Sequence, residues 1–138
     1  MLDWKKLNRE VIEEFRANAG RVSQFGDLPV VILNTLGARS GKLLEVPLIT
    51  VIDDGDMFLF ASNAGSKKTP AWVFNVRAHP VINVEFESST FNARIHELSG
   101  DDAAGKVVGE ARRTEQFAVY VKSAAPRNIP VFRIEPLN

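Results

Sequence analysis

Asp54-Gly55 is a two-residue hairpin signal set between two β-rich runs, LEVPLITVIDD (44–54) and DMFLFAS (56–62). So short a link can join only antiparallel strands, because a parallel crossover needs about a dozen residues or more. The same economy recurs along the chain. VINVEFES (81–88) and TFNARIHELS (90–99) alternate apolar and polar residues and meet near Ser88-Ser89. PVVILNT (29–35) precedes the first run across a short polar loop, and IPVFRIEP (129–136) is a last strand closed by Pro136. Residues 3–18 place Trp4, Leu7, Val11, Ile12 and Phe15 at helical spacing, with Gly20 as the stop. A short helix from Thr69 to Val76 takes Thr69 as N-cap and Pro70 as first helical residue, and ends near His79-Pro80. Asp101 to Lys122 carries the stripe Val107, Val108, Ala111, Phe117, Ala118 and Val121, with a break near Arg113-Thr114. About six strands and three helical pieces joined mostly by tight turns predict a mainly β, α+β fold: an antiparallel barrel with flanking helices. With no repeat, low-complexity tract or linker, residues 1–138 are expected to form a single domain.

Composition then narrows the function. Lys plus Arg equals Asp plus Glu at 17 each, so the chain lacks the basic excess of a nucleic-acid-binding protein. With no cysteine it has no disulfide, thiolate metal site or thiol nucleophile, in keeping with a reducing cytoplasm. No apolar run reaches the ~20 residues that cross a bilayer, and MLDWKKLNRE lacks a signal-peptide core, so a cytoplasmic protein is expected. His79 and His96 have no ligand partner at metal spacing, and Asp101-Asp102 reads as complement to a helix dipole. No general acid, nucleophile or metal cluster emerges, so the chemistry of an enzyme here would belong to a cofactor.

Two loops could hold an anion. Gly37-Ala38-Arg39-Ser40-Gly41-Lys42 combines two glycines with three side-chain donors, but its spacing is neither a Walker A loop nor GxGxxG. By spacing alone, a polar hairpin turn with solvated charges is the preferred reading. Ala61-Ser62-Asn63-Ala64-Gly65-Ser66-Lys67-Lys68-Thr69-Pro70-Ala71-Trp72 leads from a strand into a helix start, where free N–H groups and the lysines Lys67 and Lys68 favour negative charge. The alternative is a capped helix with a solvated lysine pair and Trp72 in the core.

LNTLGARSGKLLEVPL (33–48), DGDMFLFASNAGSKKTPAWVFNVRAHPVINVEF (54–86) and IPVFRIEP (129–136) together resemble the deazaflavin (coenzyme F-420)-dependent nitroreductase and quinone reductase family, in register from about residue 14 onward. The resemblance implies a split β-barrel of the FMN-binding type and, as cofactor, coenzyme F-420 (8-hydroxy-5-deazaflavin) rather than FMN. It implies that Arg39, Ser40 and Gly41 hold the anionic tail, with Lys42 standing in for a missing cation and Lys68 contacting the same tail. Ala61, Ser62, Asn63, Ala64 and Gly65 would line the ring, flanked by Pro70, Ala71 and Trp72. Phe117 and Tyr120 would face the acceptor, with Tyr120 as the catalytic phenol.

The chain departs from the family pattern at three places. Arg39 stands where relatives commonly carry lysine, Leu44 where they carry arginine, and Ala64 opens what is usually a glycine pair. Tyr120 is the single tyrosine. The expected activity is hydride transfer from reduced F-420 to a quinone-like or nitroaromatic acceptor, a small hydrophobic partner. The alternatives are a non-catalytic lipid or small-ligand carrier on the same barrel, or an FMN-dependent oxidoreductase. A monomer or homodimer is expected. Trp4, Lys5, Lys6 and Arg9 leave open a peripheral contact of the N-terminal helix with the inner membrane face, against the docking on the barrel that Glu10, Glu13 and Glu14 favour.

Overall fold

The computed structural model describes residues 4–137. Among these residues seven strands form one antiparallel sheet: β1 (Val30–Leu36), β2 (Leu43–Ile49), β3 (Val51–Asp53), β4 (Asp56–Phe60), β5 (Val81–Phe86), β6 (Ser89–Glu97) and β7 (Val131–Pro136), in the order β2-β1-β5-β6-β7-β4-β3. The expected single strand over 44–54 is thus two. Its halves, β2 and β3, are the two edges of the sheet and are separated in sequence by Thr50 alone. A sheet whose opposite edges meet at one residue has to curl, and Thr50 is the corner where this barrel closes. Its N–H donates to the Pro29 carbonyl at 2.9 Å and its hydroxyl to the Phe58 carbonyl at 2.9 Å, so both donors of this buried residue are satisfied at the bend.

The hairpin over 54–55 forms as expected, with Asp54 (φ 52) and Gly55 (φ 83) both left-handed. The turn between β5 and β6 is one residue earlier than expected, at Glu87-Ser88, because Phe86 pairs with Ser89. Four α-helices flank the sheet among the described residues: α1 (Trp4–Ala17), α2 (Ala71–Ala78), α3 (Gly100–Arg113) and α4 (Glu115–Ala124). Pro70 is the N-cap of α2, not its first helical residue, which displaces Thr69 from that role. Thr114 ends α3 and starts α4. Its extended backbone breaks the helix, and its side chain accepts from the Phe117 N–H at 3.1 Å.

Strand β1 is buried on both faces, which explains its unbroken apolar run. Val31 and Leu33 face a barrel core shared with Leu59, Val73, Val84, Ile95, Phe132 and Ile134. Val30 and Ile32 face outward against Val11, Ile12 and Phe15 of α1. The C-terminal half of the N-terminal helix therefore packs its apolar stripe on the barrel, while Leu7 is exposed. Arg16 fastens it there, donating to Glu85 at 2.7 and 3.0 Å and pairing with Glu45. The Arg16 guanidinium holds the Glu85 carboxyl below the usual carboxylate range, with Asn34 adding a further hydrogen bond. No described helix is long and apolar enough to cross a membrane.

Candidate functional site

At the Pro29 end of β1, where the chain bends at Thr50, a cavity of about 480 Å³ opens between the sheet and the α3–α4 junction. Its apolar walls include Pro29, Ile49, Val51, Phe60 and Phe117, while Ser62, Glu110, Gln116 and Tyr120 bring polar atoms to it. Phe117 is buried and meets Phe60 edge to face, with ring centroids 5.2 Å apart. Tyr120 is half-buried, and its hydroxyl accepts a 2.8 Å hydrogen bond from Gln116 Nε2 one turn earlier. Arg113 Nε meets Glu110 Oε1 at 3.2 Å in the same wall. Three residues expected to serve the site, Ser62, Phe117 and Tyr120, are therefore together.

Arg39, Ser40, Gly41 and Lys42 are elsewhere. They form the tip of the β1–β2 hairpin, at the far end of a seven-residue strand, which at the usual rise is about 20 Å from the cavity. The hairpin is a built turn. Gly37 N–H donates to the Lys42 carbonyl at 2.8 Å, Gly41 N–H to the Gly37 carbonyl at 2.9 Å, and Lys42 N–H to Ser40 Oγ at 3.2 Å. The left-handed Gly41 (φ 67) allows it to close. Arg39, Ser40 and Lys42 are exposed, and no described carboxylate pairs with Arg39, Lys42 or Lys68.

Residues 61–75 connect the two ends. Asn63 (φ 50), Ala64 (φ 51) and Gly65 (φ 83) are three consecutive left-handed residues, a run that alanine adopts at a cost of about 1–2 kcal/mol. Asn63 Nδ2 supports the loop by donating to the Lys68 carbonyl at 3.0 Å. Pro70 is half-buried and Ala71 exposed at the start of α2. Ala61 and Trp72 are in the barrel core, 1% and 6% exposed, with Trp72 packed against Phe132 at 5.3 Å. They support the loop from behind and present little side-chain surface.

Several residues that organise this surface were not singled out in the sequence. Asn75, buried on α2, accepts from the Ala38 N–H at 2.9 Å and so ties the hairpin to the helix. Helical spacing from Trp72 (i+3) puts it on the buried face, and an asparagine there was the available signal. Arg127 donates to the carbonyls of Ala61 (3.0 Å), Ser62 (2.9 Å) and Ser66 (2.8 and 3.2 Å), and burial pushes its guanidinium below the ordinary value. Lys67, expected to add positive potential beside Lys68, instead donates to the carbonyls of Ser123 (3.1 Å) and Ala125 (2.7 Å) at the end of α4. His96 finds a carboxylate that sequence spacing did not reveal: Nε2 is 2.9 Å from Glu135 Oε1, and this bond holds Glu135 below the usual range. No described cluster could hold a metal ion.

A family model described as F420H(2)-dependent quinone reductase matches residues 6–136. An F420H(2)-dependent quinone reductase of Mycobacterium tuberculosis is 27% identical over 124 residues, spanning 85% of this chain and 81% of its own length. Among solved structures, one described as an F420-H2 dependent reductase (FDR-A) is similar at TM-score 0.65 and 33% identity, over 78% of this chain and 94% of its own. Another, described as a domain-swapped dimer, reaches TM-score 0.67 at 30% identity over 96% of this chain and 100% of its own.

Proposed function

The chain belongs to the F420H(2)-dependent quinone reductase family, and from that premise we propose that it binds reduced coenzyme F-420 along residues 37–71 and reduces a flat, apolar quinone-like acceptor in the cavity beside Phe117 and Tyr120. One observation carries the reading: an uncompensated cationic hairpin and an apolar cavity stand at opposite ends of one strand. That polarity suits a coenzyme with a flat ring at one end and a long anionic tail at the other. The donor set fits as well, since Arg39, Ser40, Lys42 and Lys68 offer charge-assisted hydrogen bonds to phosphate and carboxylate oxygens.

The coenzyme, when bound, supplies the hydride. The protein supplies orientation and a dry surface. Arg39 and Lys42 bind the tail at the hairpin, with Lys68 between hairpin and cavity, and residues 62–65 back the ring. Phe60 and Phe117, in edge-to-face contact, exclude water from one wall. Gln116 donates to the Tyr120 oxygen. The phenol proton is then left for the acceptor oxygen that gains charge as it is reduced, a bond that strengthens in the transition state. Nitroaromatic acceptors of similar shape fit the same walls.

The test adds F-420 and FMN separately to the purified protein and follows fluorescence quenching, then follows oxidation of reduced F-420 with menadione. Binding of F-420 with turnover supports the reading. Binding of FMN alone would make the protein a flavin oxidoreductase, and binding of neither would make it a carrier.

A further inference from the structure

The loop at the cavity and the helix carrying Phe117 and Tyr120 are different elements, yet two cations fasten one to the other. Lys67 reaches out of the loop to the carbonyls of Ser123 and Ala125, at 3.1 and 2.7 Å. These belong to the end of α4, where carbonyls lack helical partners and a positive charge is favoured. From the other direction Arg127, three residues beyond α4, spreads its guanidinium over the carbonyls of Ala61, Ser62 and Ser66. Between them Gly65 lies so close to α4 that a Cβ on it would be 3.0 Å from Ser123 Cβ and 3.2 Å from Tyr120 Cα. Ser62 on the loop and Tyr120 on the helix line the same cavity.

We propose that Lys67 and Arg127 are positioning residues that lock the Ser62–Ser66 loop onto α4 and thereby set the width of the cavity between ring and acceptor. Both cations are held on main-chain carbonyls, with two bonds from Lys67 and four from Arg127, which sets them apart from Arg39 and Lys42 of the hairpin, unpaired among the described residues. The lock itself stands on the geometry above. Its consequence for rate rests on the function proposed above, since hydride transfer requires reacting atoms in near contact and a misplacement of about 1 Å can cost roughly a hundredfold.

Lys67→Met in the full chain keeps the length of an exposed side chain and removes its donors. Without coenzyme, hydrogen–deuterium exchange at the Gly65 and Ser66 amides, which donate to Ser62 and Asn63 carbonyls, should quicken by about tenfold, the signature of a loop opening at lower free energy. With F-420 and menadione saturating, the single-turnover rate should fall by about tenfold while the F-420 dissociation constant moves less than about twofold. Lys67→Arg should restore both. Arg127→Lys, which keeps the charge but not the fork, should quicken the same two amides. Unchanged exchange in Lys67→Met overturns the lock, and so does a loss of affinity equal to the loss of rate, which would make Lys67 a tail ligand. If the wild-type protein fails to turn over at all, the functional reading falls, while the exchange measurement still decides the lock.

Discussion

Adding a single methyl group at Gly65 probes the close approach of the cavity loop to α4. Gly65 sits at φ 83, where a side chain is strained, and its Cβ would meet Ser123 Cβ at 3.0 Å, Ser123 Oγ at 3.1 Å and Tyr120 Cα at 3.2 Å. The left-handed backbone costs an alanine about 1–2 kcal/mol, and crowding a packed contact adds about 1–3 kcal/mol. Gly65→Ala should therefore destabilise the protein by about 3 kcal/mol. At roughly 2.1 cal/mol/K of unfolding entropy per residue, that lowers the melting temperature by about 10 °C. Gly41→Ala is the control. Its φ of 67 carries comparable strain, but no atom lies within 4 Å of the added Cβ, so the loss should be about 1 kcal/mol. Urea unfolding followed by tryptophan fluorescence measures both, and their difference isolates the crowding against α4. Equal losses in the two variants would refute the close approach of loop and helix.

Arg39→Ala should weaken F-420 binding by about 1.5–3 kcal/mol, and the difference from wild type should shrink near 1 M salt, where charges are screened within ~3 Å. Fluorescence titration at low and high ionic strength checks both, and an unaltered affinity would reduce the hairpin to a turn. Tyr120→Phe should lower menadione turnover by about tenfold, equivalent to one neutral hydrogen bond of roughly 1–1.5 kcal/mol, with F-420 affinity unchanged in the same titration. Arg16 depresses the Glu85 carboxyl in the folded state. The stability it brings is therefore present above the unfolded value of about 4.3 and is lost as pH falls through the lower folded value. Glu85→Gln should accordingly flatten the fall of unfolding free energy as pH drops below about 4.3, as read from urea midpoints across the acid range.

What the sequence disclosed depended on how local the signal was. The Asp54-Gly55 turn, the break at Thr114 and the strands on either side of the barrel core follow from neighbouring residues, and the structure keeps each of them. Thr50 did not stand out, because it sits in an uninterrupted β-rich run. Its role comes from joining two hairpins at once, bonding to Pro29 just past the β1–β2 ladder and to Phe58 of the β3–β4 pair, and so depends on the registers of both. Lys67 and Arg127 were hidden for a different reason. Their partners are carbonyl oxygens, and since every residue carries one, no residue type marks where a cation will be satisfied. A carboxylate partner such as Glu135 for His96 is marked by type, but its diagonal approach to His96, two positions from its direct partner Arg94, depends on the β6–β7 register. The family resemblance named residues at both ends of the proposed site. The distance between them along β1 became visible only with the hairpin drawn to its full length.

The place of β7 bears on how this protein folds. It is the last of the described strands but sits inside the sheet, paired on one side with β6 and on the other with β4. A chain in which β7 has not yet docked thus holds two unpaired strand edges, with the core positions of Phe132 and Ile134 still unfilled. Such an intermediate invites edge-to-edge pairing with another copy. Docking of β7 removes both exposed edges in one step.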